Sequence, residues 1–194
     1  MATALGTLLG TLSGYLGGRI DNFLMRVLDI MFAFPAVVLA IMLVAIIGTG
    51  VVNIVIVVGI VCTPPIARLA RAATIEVCVE DYITAAKAVG GGTWHIIAKH
   101  VLRNAFPTIL TTATLNLGNA IMFEATLSYL GLGAPPTVSS LGRIINEGRQ
   151  FLYMAPWMIW LPGVMIVLLV LGFNILGDEL TDILNPRLRG KHIM

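Results

Sequence analysis

The sequence predicts an all-α, polytopic membrane protein, a helix bundle of about five spans. Three observations predict it. Of 194 residues, 58% are apolar and only 22 are charged, 12 Lys or Arg and 10 Asp or Glu; a soluble domain carries about twice that share of charge. Residues 1–18, 30–67 and 150–177 have no charge at all, and between Asn104 and Gly142 there is only Glu124. Such runs match or exceed the roughly 20 residues a helix needs to cross a bilayer. Third, the Lys and Arg residues crowd into a few short stretches, as in loops on one side of a membrane. This composition excludes a disordered chain, a secreted disulfide scaffold and a nucleic-acid-binding domain.

In chain order, Ala2–Leu16 is apolar but short of a full span. Gly6, Gly10, Gly14 and Gly18 recur every four residues along it, so a second backbone is expected to pack closely there. Leu28–Ile47 and Val51–Ala67 read as a hairpin turning at Gly48-Thr49-Gly50, and Asn104–Leu132 and Trp157–Leu176 as two further spans. Pro35, Pro64 and Pro65 sit where they would kink or end helices. Ten of the twelve Lys and Arg residues lie in 18–27, 68–103 and the tail beyond Gly177, against Arg143 and Arg149 elsewhere. That bias places the C-terminus in the cytoplasm and Met1 outside. No cleavable signal pattern opens the chain, and a further helix is expected to precede it. Residues 1–194 thus read as one transmembrane domain with a cytoplasmic loop 68–103, an outer loop 134–155 and a cytoplasmic tail 178–194.

The loop 68–103 holds eight charges and still shows helical periodicity. Asp81 is placed to cap a helix in which Tyr82, Ala85, Ala86 and Val89 share a face. Gly90-Gly91-Gly92 ends it, and Thr93 is placed to cap the next, with Ile96, Ile97, Val101 and Leu102 as its apolar stripe. Two short amphipathic helices joined by a glycine turn suit docking into another protein; a loop lying against its own bundle is the other reading. No P-loop or G-x-G-x-x-G motif is present, so ATP is not held by either.

Glu124 is the lone ionisable residue inside a span, with Asn116, Asn119 and Ser128 nearby. A carboxylate there either lines a translocation route or makes a helix-to-helix hydrogen bond. His95 and His100, five apart, do not share an α-helical face, and Cys62 and Cys78 imply neither a disulfide nor a metal site. No catalytic constellation, metal site or directly bound cofactor is expected. Pro107 marks the approach to the span that contains Glu124.

Thr84-Ala85-Ala86-x-x-x-Gly90, followed by His100-x-Leu102 and Asn104, resembles the "EAA" loop of bacterial ABC importer permeases. Gly14-Tyr15-Leu16-Gly17-Gly18, Ala33-Phe34-Pro35-Ala36, Leu127-Ser128-Tyr129-Leu130-Gly131-Leu132-Gly133, Asn174-Ile175-Leu176-Gly177-Asp178 and Asn185-Pro186-Arg187-Leu188-Arg189 resemble the dipeptide/oligopeptide/nickel branch, most closely its second dipeptide permease subunit. The resemblance implies a type I importer permease in a bacterial or archaeal inner membrane, surrounded by lipid and binding no nucleic acid. Asp81, Tyr82, Thr84, Ala85, Ala86, Ala88, Val89, Gly90 and Gly91 would then form the helix that seats in a separate ATP-hydrolysing subunit. It further implies two such ATPase subunits, alike or a heterodimer, carrying ATP and Mg, a second related permease, and an extracytoplasmic binding protein that delivers short peptides. That protein would meet the outer loop, where Leu141–Phe151 reads as a short surface helix. Two positions depart from the family pattern: Thr84 stands where Glu is usual and Arg103 where Pro is usual. The branch has six spans. Nickel or another metal chelate is the alternative cargo; a passive channel or assembly scaffold is the alternative class, and would leave loop 68–103 without a role.

Overall fold

The computed structural model describes residues 1–135 and 137–184, and every regular element among them is helical. The elements are α1 (Ala2–Leu16), α2 (Gly18–Phe32), α3 (Ala36–Ile47), α4 (Val51–Val61), α5 (Thr63–Cys78), α6 (Asp81–Ala88), α7 (Thr93–Ile96), a π turn at Ile97–Val101, α8 (Leu102–Tyr129), α9 (Leu141–Gly148), a 3-10 turn at Arg149–Phe151, and α10 (Trp157–Leu184). The motif at Asn185–Arg189 lies outside the described residues.

Two of the expected spans are interrupted, each for a local reason. Leu28–Ile47 breaks between Phe32 and Ala36 at Pro35, which removes a helix donor and pushes its predecessor out of helical geometry. Val51–Ala67 breaks at Cys62, where Pro64 and Pro65 fit only the first turn of a new helix. Conversely, α5 runs on to Cys78 and α10 to Leu184, through residues whose charge marks the membrane edge rather than a helix end. By length and composition alone Trp157–Thr181, with mean hydropathy 2.4, can cross a bilayer; α2 with α3 and α4 with α5 qualify only as joined pairs. The expected spans Ala2–Leu16 and Asn104–Leu132 therefore fail that test among the described residues, α1 by length and α8 because its Thr, Asn and Glu lower its hydropathy.

The chain divides into two compact units. The first comprises Ala2–Ile30, Thr63–Ala113 and the described residues from Gly177 on. In it α1 lies along α5. A Cβ added at Gly6 would stand 2.8 Å from Ile66 Cβ, one at Gly14 2.8 Å from the Arg71 carbonyl, and one at Gly10 would run into the Ala67 carbonyl. Only glycine admits that approach. Gly18 is the exception to the stripe: it has open space around it and, with Gly17, a positive φ that turns α1 into α2. Asp21 accepts two 2.6 Å hydrogen bonds from the Arg71 guanidinium and a third bond from the Ser13 hydroxyl, tying α2 to α5 and α1. Arg68 and Asp29 form a second, exposed pair at 2.5 Å. Ala70 and Ala73 of α5 pack with Ala105 and Ile109 of α8 in a small-residue core.

The second unit comprises Met31–Cys62 and Thr114–Leu176, with Met1. Its core is Ala40 and Val44 of α3, Val57 and Val61 of α4, and Leu127 of α8. The α3–α4 hairpin turns at Gly48 and Gly50, both at positive φ, and the Asn53 amide spans the turn by donating to the Ile47 and Gly48 carbonyls at 3.2 and 3.3 Å. Only 11% of the most apolar stretch of α10 is buried. A helix apolar on every side and left uncovered is fit for lipid or another membrane helix.

Candidate functional site

Helix α6, the expected docking segment, is tied to its unit through one buried residue. Ile83 is completely buried, packed with Ile96 and Val101 and flanked by Tyr15, Val77, Cys78 and Ala86. Lys87 sits 5.3 Å above the Tyr15 ring, a cation–π contact that fastens the same helix to α1. With Ile83 turned inward, the opposite side of α6 faces out: Tyr82 is 42% exposed and Val89 90%, while Asp81, Thr84, Ala85 and Ala88 are exposed and Ala86 is half-buried. Val79 and Trp94, 76% and 70% exposed, flank it. Of the expected face, Tyr82, Ala85 and Val89 are exposed while Ala86 packs partly against the Ile83 cluster, and the buried residue of α6 is Ile83. Partial desolvation, with the Glu80 carboxylate and Cys78 nearby, shifts the Tyr82 phenol above its usual pKa.

Neither expected side-chain cap forms. Asp81 is the first residue of α6, behind Glu80, and Thr93 the first of α7, behind Gly92. Asp81 still opposes the positive end of the helix dipole. The far end of α6 is a Schellman stop: Gly90, at φ +86°, donates to the Lys87 carbonyl and Gly91 to the Ala86 carbonyl, both at 3.0 Å. A left-handed residue at that position is what ends the helix; Gly92 has open space around it. The Thr84 hydroxyl has no hydrogen-bond partner among the described residues, and Arg103 is exposed. Beyond α7, the Leu102 amide donates to the Ile97 carbonyl, closing a π turn. The extra residue in that turn brings His95 and His100 to 6.1 Å between ring centroids, against the sequence expectation, with Tyr82 6.4 Å from His100. No group of three metal-binding side chains forms among the described residues.

At the end of α8 the structure joins two of the three pathway candidates. Ser128 is buried and donates to Glu124 at 2.6 Å, a bond within one helix rather than between helices. Asn119 is exposed and sits away from them, about 140° around the helix from Glu124 at 100° per residue. The same Schellman device ends α8: Gly131, at φ +79°, donates to the Ser128 carbonyl and Leu132 to the Leu127 carbonyl at 2.9 Å, with Leu127 and Leu132 meeting in the core. Next, Gly133 closes on the helix end so tightly that an added Cβ would stand 2.6 Å from Ser128 Cα. Helix α9 then folds back on α8. Ser140 caps it by accepting from the Arg143 amide at 3.3 Å, an added Cβ on Gly142 would lie 2.8 Å from Ala125 Cα, and the Asn146 amide donates to the Tyr129 carbonyl.

Residues 6–190 match the family of binding-protein-dependent transport system inner membrane components, and the chain belongs to that family. It is 43% identical over 170 residues to the dipeptide transport system permease protein DppC of Alkalihalophilus pseudofirmus, covering 88% of this chain and 56% of that protein. It is 40% identical over 190 residues to the glutathione transport system permease protein GsiD of Escherichia coli O6:K15:H31, covering 98% of this chain and 63% of that one. The chain therefore spans roughly three-fifths of the length of these relatives. An inward-facing structure of the MetNI methionine ABC transporter superposes with a TM-score of 0.72 over 93% of this chain and 88% of the other at 22% identity, a likeness of fold.

Proposed function

We propose that this chain is the membrane-spanning subunit of an ATP-driven importer that passes short peptides into the cell. The observation that carries the reading is α6, an apolar face held outward by a single buried anchor and stopped by Gly90. The relation to dipeptide and glutathione permeases supports peptides as the cargo. In this reading α6 seats in an ATPase subunit that carries ATP and Mg, a second related permease completes the pathway, and a binding protein outside delivers the peptide. The Lys and Arg distribution supports a cytoplasmic C-terminus and puts the α3–α4 turn and α9 on the outer side. Glu124 and Ser128 are then a polar step of the route near its outer end, while force enters through α6. The test is ATP-driven uptake of radiolabelled dialanine by liposomes holding the assembled importer and its binding protein. Uptake that requires both ATP and this chain is the expected result; none with every subunit present overturns the reading.

A further inference from the structure

The second unit has a half-open cavity of about 310 Å³ between the Thr49 turn, the Ser128–Pro135 end of α8 and the polar side of α9. Both turns assigned to the outer side by charge contribute to it, and its lining includes Ser128, the partner of Glu124. Its wall carries one positive and one negative group. Arg143 bonds Glu147 at 2.7 Å through Nε alone, so both terminal guanidinium nitrogens remain unpaired among the described residues, as does the second Glu147 oxygen. Asn146 spends its amide on the Tyr129 carbonyl and keeps its carbonyl oxygen as an acceptor. Thr49 adds a hydroxyl without a partner among the described residues. An exposed i,i+4 ion pair contributes little to a helix by itself; lining a cavity, its free terminal nitrogens have the fork geometry that suits a carboxylate.

We propose that this cavity is a binding site for a short zwitterionic peptide, in which Arg143 takes the terminal carboxylate and Glu147 with the Asn146 carbonyl takes the terminal ammonium. This deepens the peptide-import reading and rests on it. The volume is at the lower end of small-molecule sites and suits two or three residues. Both charges come from the peptide backbone, and the remaining lining contributed by Gly131, Gly133, Ala134 and Pro135 offers no charge to select side chains. The site would receive a released peptide on the outer side and hand it to Ser128 and Glu124.

The experiment is equilibrium dialysis of radiolabelled dialanine against the assembled importer, purified in detergent without its binding protein. Wild type is expected to bind it. Arg143→Gln should weaken binding about 10-fold or more, the scale of a lost hydrogen bond to a charged group, and Glu147→Gln should weaken it less, with subunit assembly unchanged in both. Dialanine blocked by N-acetylation and C-amidation should not compete. Equal binding by wild type and Arg143→Gln, equal competition by the blocked peptide, or no binding by wild type overturns the proposal. ATP-driven uptake separates this from the wider reading: normal uptake with any of those results removes the cavity's role alone, whereas no uptake by wild type removes the import reading and that role with it.

Discussion

Two helices of this protein end by the same device and lead to opposite surroundings. At α6, Gly90 sits in the left-handed region and Gly91 reaches back to Ala86; at α8, Gly131 does the same and Leu132 reaches back to Leu127. After Gly90 the chain leaves open space around Gly92, with Val89 and Trp94 exposed beside it. After Gly131 it closes: Leu132 packs into the core and Gly133 presses on Ser128. The stop signal is local, and what it serves is decided by the residues two or three places on. One end leaves an exposed face, and the other lines a polar pocket.

The largest effect expected from testing this contrast is at Ile83. Ile83→Ala should cost about 2–5 kcal/mol, the range for emptying a fully buried aliphatic site, and should release α6; thermal unfolding in detergent measures it. A loss under about 1 kcal/mol would mean that α6 is held by something else. Next comes the glycine pair. Gly133→Ala should cost about 1–3 kcal/mol by overpacking against Ser128, and Gly92→Ala should stay within about 0.5 kcal/mol. Equal costs in the same unfolding assay would erase the difference between the two ends.

Glu124→Gln keeps a partner for Ser128 and removes the charge. Stability should change by about 1 kcal/mol or less, the difference between a charged and a neutral hydrogen bond, while dialanine uptake falls. Loss of folded protein instead would assign Glu124 a purely structural role. The smallest expected effect is at Thr84. Thr84→Glu places a carboxylate in the first turn of α6, worth about 0.3–1 kcal/mol, and should raise retention of the ATPase about 2- to 5-fold, read from the salt needed to wash it off.

Much of this was legible from the sequence because it rests on local rules. Uncharged runs gave the helical membrane class, Gly6, Gly10 and Gly14 mark the face along which α1 meets α5, and the position of Gly90 locates a helix end. The misses share another cause. Apolar periodicity grouped Tyr82, Ala85, Ala86 and Val89 on one face but left open whether the chain covers that face, because a short helix with apolar residues on two sides does not reveal that; the burial of Ile83 comes only from the structure. Hydropathy marks where a membrane ends rather than where a helix ends, so α5 and α10 outrun their predicted limits. The contact of His95 with His100 depends on a π turn, which no residue type announces. The cavity joins Thr49, Ser128 and Arg143 from three separated segments, and no linear spacing encodes that meeting.

The measurement that bears hardest on the role of α6 is capture of the ATPase subunits by the tagged permease, comparing wild type, Val89→Asp and Gly92→Ala. A charge at Val89 falls on the exposed face and touches nothing the fold needs. ATPase should be retained by wild type and Gly92→Ala and lost from Val89→Asp, with all three permeases equally stable. Equal retention by Val89→Asp would contradict the assignment of that face to the ATPase.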